Sequence, residues 1–153
     1  MLTWILAEVG GKEKYYFGVD KIDAAAYGGR ASLIGGELND TIIAAQGATS
    51  LWGGDSGNDV LHGTGTGNEF FYFRGNGNDV IRDAADGDVV NLYDVTLDDI
   101  SATAINNAQA SIEFKDGGSV TFDSAADATF KLGDGSTWKA NHQSNEWQSQ
   151  EQA

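Results

Sequence analysis

Three Asn-Asp pairs, Asn39-Asp40, Asn58-Asp59 and Asn78-Asp79, recur at intervals of 19 and 20 residues. Each is followed, two residues after the Asp, by an aliphatic side chain: Ile42, Leu61 and Ile81. The chain carries 23 Asp+Glu against 9 Lys+Arg, a formal charge of -14, so carboxylate oxygen is the ligand type it holds in excess. It has no Cys and two His, His62 and His142, far apart. Zinc chemistry and a cysteine nucleophile are therefore disfavoured, whereas carboxylates at a fixed interval suit a hard cation bound through oxygen. No nucleophile, base and oxyanion donor come together in the sequence, so the reading is not an enzyme. Gly63-Thr64-Gly65-Thr66-Gly67 lacks the Lys and the strand-to-helix context of a phosphate loop. Asp98-Asp99, just before the apolar run at Ile100, reads as a turn entry.

The elements that must position these acids follow from weaker copies at half the interval, Gly47-Ala48-Thr49-Ser50-Leu51 and Gly67-Asn68-Glu69-Phe70-Phe71. Aligned on a unit of nine to ten residues, seven copies place Leu33, Ile42, Leu51, Leu61, Phe71, Ile81 and Val90 at an inward apolar position. The sixth position then reads Ala31, Asp40, Thr49, Asp59, Glu69, Asp79 and Asp88. A short strand followed by a Gly-rich turn reverses the chain in each copy, giving a flattened coil whose alternate turns fall on opposite edges. Asp40, Asp59 and Asp79 stack on one edge, Glu69 and Asp88 on the other, and the extra residue in three intervals is expected in a bulge or a longer turn. Coils stacked at strand spacing, about 4.8 Å, bring like charges together. At 4 Å and an effective dielectric of about 20 that repulsion is roughly 4 kcal/mol per pair. A divalent cation reverses its sign, and flexible carbonyl-lined turns favour calcium over magnesium, which demands near-octahedral geometry.

The flanks read differently. Residues 1–23 hold Trp4-Ile5-Leu6-Ala7-Glu8-Val9 and Lys14-Tyr15-Tyr16-Phe17-Gly18-Val19 around Gly10-Gly11, an expected β-hairpin. The coil occupies 24–92, and antiparallel strands over 93–140 are expected to cap its open end, because a repeat stack exposes its last apolar layer. Residues 141–153, rich in Gln, Ser and Asn, read as a polar mobile tail with Trp147 as its one anchor. The fold class is all-β: a parallel β-roll of about three turns, with an N-terminal hairpin and a C-terminal antiparallel β cap. The negative charge argues against nucleic acid and anionic membranes, no apolar run reaches the ~20 residues of a membrane span, and the opening residues lack a signal-peptide pattern.

Gly54-Asp55-Ser56-Gly57-Asn58-Asp59-Val60-Leu61-His62, with the copies beginning at Gly35 and Arg74, resembles the hemolysin-type RTX nonapeptide Gly-Gly-x-Gly-x-Asp-x-U-x, a calcium-binding repeat in which U is a large apolar residue. The resemblance covers roughly residues 28–91. It implies that each ion sits between two stacked turns, held by the sixth-position Asp and by carbonyls at the first and third positions. By position, one ion would take Gly35, Glu37 and Asp40 with Gly54, Ser56 and Asp59, and a second the Asp59 turn with Arg74, Asn76 and Asp79. A third, on the opposite edge, would take Thr64, Thr66 and Glu69 with Asp83, Ala85 and Asp88, where Glu stands for Asp. The resemblance also implies a module of a larger protein, secreted or at the cell surface of a Gram-negative bacterium. Such a module would leave through a type I secretion apparatus and fold on calcium outside. The alternative is an adhesin or ligand-binding surface that calcium only rigidifies. The outward positions (Ile34, Ile43, Trp52, His62, Tyr72, Arg82, Asn91) are not uniform, which counts against an ice-type ladder.

Overall fold

The structure, a computed structural model, describes residues 2–5, 13–19 and 21–150. The sequence alternates short apolar runs with Gly, Asn and Asp, and the chain alternates accordingly between two facing sheets, of nine and seven strands. Strands β1 (Leu2–Ile5) and β2 (Glu13–Val19) pair antiparallel. Residues 6–12, which hold the expected Gly10-Gly11 turn, lie outside the described residues. From β2 onward the first sheet runs parallel through β4 (Arg30–Gly36), β6 (Thr49–Gly54), β8 (Glu69–Tyr72), β10 (Val89–Leu92) and β14 (Thr129–Leu132). The second sheet stacks β3 (Lys21–Asp23), β5 (Thr41–Ile43), β7 (Val60–His62), β9 (Asn78–Arg82) and β13 (Ser119–Asp123) in the same sense. The chain is thus a parallel β-roll.

Its interior is two facing rows of side chains held in register. Leu33, Leu51, Phe70, Val90 and Phe130 line one sheet, and Ile22, Ile42, Leu61, Ile81 and Phe122 the other. All ten are buried. Period-2 alternation makes this possible: in β4, Ala31, Leu33 and Gly35 turn inward while Ser32 and Ile34 remain half-buried on the outer face.

Three expectations change. The coil starts before residue 24, because β2 and β3 already stack on β4 and β5; there are four uninterrupted coils, not three. Antiparallel pairing does cap the far end, through the hairpins β11 (Ile100–Ile105) with β12 (Ala110–Phe114) and β15 (Thr137–Asn141) with β16 (Glu146–Ser149), but β13 and β14 between them rejoin the parallel rows. Residues 141–150 are not a tail: β16 pairs with β15, and Trp147 packs edge-on against Phe130 with ring centroids 5.0 Å apart. Among the described residues no helix is long and apolar enough to cross a membrane.

The repeat phase also slips by one in its fifth copy. Phe70, fully buried, pairs with Leu51 and Val90, so Phe71 faces outward and Tyr72, expected outside, is 2% exposed inside. Phe70→Ala should therefore cost about 3–5 kcal/mol, and Phe71→Ala about 1 kcal/mol, in urea unfolding. Equal losses would restore the other phase.

Candidate metal centre

Within one residue of the start of each strand of the described coil stands an inward side chain, and along this first inward position the roll carries its buried polar groups. On the edge where the first sheet turns into the second these are Asp40, Asp59 and Asp79, each at most 2% exposed. Val120, paired with Asp79, ends the column. On the opposite edge the column runs Ala31, Thr49, Asn68, Asp88 and Ala128, all buried.

At the junction of turn and strand the N–H of this first residue points along the stack, and a side chain of the next coil meets it. The Asp40 N–H donates to Asp59 Oδ1 at 2.8 Å, and the Asp59 N–H to Asp79 Oδ1 at 3.1 Å. On the other edge the Thr49 N–H donates to Asn68 Oδ1 at 3.0 Å and the Asn68 N–H to Asp88 Oδ1 at 2.9 Å. One residue earlier the direction reverses: the Asn58 N–H donates back to Asn39 Oδ1 at 2.7 Å, and the Asn78 N–H to Asn58 Oδ1 at 2.9 Å. The Asn58-Asp59 and Asn78-Asp79 pairs therefore each donate to the preceding coil from the Asn N–H and accept from it on the Asp carboxylate. This double zipper was not foreseen from sequence, although the invariant Asn before each Asp was its signal.

The two edges differ in charge. Asp88 is satisfied by its surroundings, since Oδ1 receives the Asn68 N–H and Oδ2 the Ala85 N–H at 2.9 Å. Asp59 is not: its Oδ2 is buried without a hydrogen-bond partner. Burial, reinforced by the Asp40 carboxylate, pushes Asp59 up to about 7 against the pull of the Asp40 N–H. Burial, with Asp59 adding to it, likewise pushes Asp79 up to about 7. Burial also raises the neighbouring Tyr72 hydroxyl, and Asp79 adds to that shift.

The residues expected to hold ions fall into three groups. Around Asp40 and Asp59, Gly35 turns inward beside Asp40, and Gly54, at φ 118°, lies against the Gly36 carbonyl; the Glu37 and Ser56 side chains are exposed. The corner beside Asp59 is open only because residue 53 is Gly, since a Cβ there would run into the Asp59 carboxylate. Around Asp79, Arg74 points away, its Nη1 3.0 Å from Asp99 Oδ1, while Asn76 folds inward and is 5% exposed. Thr96, through its N–H and hydroxyl, holds the Asp99 carboxyl below the usual range, and Arg74 adds to that. On the opposite edge Glu69 is not in the acidic column. It lies half-buried on the outer face, where Oε2 accepts from Asn91 Nδ2 at 3.0 Å, and Asn68 takes its place. There Thr64 Oγ1 donates to the Ala45 carbonyl at 2.6 Å, Thr66 is exposed, Ala85 gives its N–H to Asp88, and Asp83 binds His62 Nδ1 at 2.9 Å. The structure does not bring these six together as an acidic cluster.

Among the described residues no group of three His, Cys, Asp or Glu side chains gathers as a metal site. A cation at Asp40 and Asp59 would draw its remaining ligands from carbonyl or water oxygen. The donors fit a hard cation there: a paired carboxylate edge, a buried carboxylate oxygen lacking a donor, and a corner kept free by Gly35 and Gly53. Asp20 stands two residues before Ile22, as Asp40 does before Ile42, a further signal in the sequence; it lies outside the described residues. Compared with protein-family models and with curated proteins, the chain matches none.

Proposed function

We propose that this β-roll is a calcium-responsive folding module, with the ion held at the edge built from Asp40, Asp59 and Asp79. One comparison carries the reading. Asn68 makes the same bond between coils as Asp59, with a neutral amide, so the hydrogen bond alone does not call for a carboxylate. Three buried acids stand at that position, and burial raises Asp59 and Asp79 toward neutrality; the natural counterpart of their charge is a cation. Ions that bind only the folded state stabilise it by about 2.7 kcal/mol per site at a hundredfold excess over Kd. Calcium outside a cell would then fold a chain that stays open where calcium is scarce. Export by a type I secretion apparatus, as part of a larger protein and without catalysis of its own, extends this reading through the RTX-like repeats.

The test is far-UV circular dichroism of the EDTA-treated protein, titrated with calcium and, separately, with magnesium. A cooperative gain of β signal with calcium alone is expected. Asp59→Ala should weaken that response far more than Asp88→Ala, since Asp88 is already satisfied by backbone N–H groups. Equal responses would remove the assignment to this edge.

A second reading draws on the outer face of the first sheet. There Trp52, Phe73 and Tyr93 form a row with ring centroids 5.2 Å apart, and Tyr93 is 61% exposed. Such a row suits a ligand-contact surface on a roll that calcium only stiffens. A β spectrum already complete in EDTA would favour it.

A further inference from the structure

We propose that, among the described turns, the roll holds its cation between those at 36–40 and 54–59, and that Tyr72 and Asn76 replace an ion in the next interval. This rests on the calcium reading above. The last inward residues of β4, β6, β8, β10 and β14 form a column along the roll. The column reads Gly35, Gly53, Tyr72, Leu92 and Leu132, one residue beyond or within the paired registers. In the coils of β4 and β6 this corner holds no side chain, and the Asp40 and Asp59 carboxylates lie beside Gly35 and Gly53. In the coil of β8 a buried phenol fills it.

The carbonyls change state at the same place. An ion between the turns at 54–59 and 73–79 would need carbonyl oxygens from both. The Asp55 carbonyl already accepts from Asn76 Nδ2 at 3.2 Å, and the Gly77 carbonyl from the Tyr72 hydroxyl at 2.9 Å. Asn76 Oδ1 is occupied as well, by the Phe73 N–H at 3.0 Å and by Trp52 Nε1 at 3.1 Å. Asn76 thus ties the two turns together with an amide, where Arg74 and Asn76 were expected to help hold a second ion. On the far edge Asn68 does similar work, its Nδ2 donating to the Thr64 carbonyl at 2.9 Å. The roll is divided: its early coils depend on an ion, and its later coils are closed by their own side chains.

Two measurements on the whole chain test this. Metal analysis of the Asp20→Asn chain, which takes the turn outside the described residues out of the count, should give one equivalent after desalting from calcium. Hydrogen exchange should show the peptides over 31–62 protected only with calcium, and those over 69–132 protected in EDTA as well. Asn76→Ala should raise exchange around 54–60 and 73–80 in both conditions and leave the equivalent in place. Two equivalents, or a calcium count that falls with Asn76→Ala, overturns the single interval while leaving the calcium reading intact. No bound calcium and no change in exchange overturns both. Exchange over 69–132 that is as fast in EDTA as over 31–62 overturns the division of the roll.

Discussion

Asp59→Asn should make the protein more stable than its parent in EDTA at pH 8, and should abolish the stability gained from calcium. The amide keeps an oxygen for the Asp40 N–H, the hydrogen bond that the Asp59 carboxylate accepts in the stack, and removes the charge. The sign follows from linkage. With an unfolded value near 3.8 and a folded value raised to about 7, the folded parent holds the proton more tightly than the unfolded chain. Below pH 3.8 both states are protonated and Asp59 costs nothing. As pH rises toward 7 the unfolded chain ionises first, so stability falls, and above 7 the loss is complete. A shift of that size corresponds to about 4 kcal/mol as an upper figure. The variant's stability should therefore vary less with pH than the parent's, the two curves meeting near pH 4. Asp79, raised partly by the Asp59 charge, relaxes with it. Urea unfolding at pH 4, 6 and 8, with and without calcium, measures all of this. A variant equally destabilised at every pH would mean that the carboxylate is an acceptor and nothing more.

Gly77→Ala should unfold the stack where Gly75→Ala only weakens it. Both glycines sit in the left-handed region, at φ 97° and 85°, so alanine is strained at either, by roughly 1–2 kcal/mol. They differ in what a methyl group would meet. At Gly75 it would find open space, whereas at Gly77 it would run into the Gly57 carbonyl of the preceding coil. Because parallel strands keep a fixed spacing, that carbonyl cannot retreat without parting β7 from β9. A loss of about 1–2 kcal/mol for Gly75→Ala, beside a Gly77→Ala protein lacking β signal even in calcium, is the expected outcome. Similar losses would mean that this turn does not set the distance between coils.

The roll was legible because the same requirement recurs in every coil. An apolar residue must face inward two places after the first inward position of the coil (Ala31, Asp40, Thr49, Asp59, Asp79, Asp88), and Leu33, Ile42, Leu51, Leu61, Ile81 and Val90 all obey it. Phe70 and Phe71 were not separable, since either ring satisfies the pattern and no local mark says which turn takes the extra residue. The structure puts it in the acidic edge: from Gly36 to Asp40, Gly54 to Asp59 and Phe73 to Asp79 the path grows from four residues to five to six. The sixth residue gives Asn76 the slack to fold inward. The first coil was hidden because Lys14 to Val19 is a continuous aromatic and aliphatic run, which suits a hairpin strand as well as a parallel one. Trp147 was read as an anchor, but the strand around it depends on pairing with β15, which composition does not reveal.

The zipper of Asn and Asp also fixes an order of completion. The carboxylate that receives the Asp40 N–H belongs to Asp59, and the one that receives the Asp59 N–H belongs to Asp79. Each coil therefore stays chemically unfinished until the coil after it arrives. A chain emerging N-terminus first would carry an unmet backbone donor at its growing tip, and only the arrival of β13, with Val120 against Asp79, would end the sequence of debts. Such a thread has little to gain by settling early, and it can remain extended until its later residues follow.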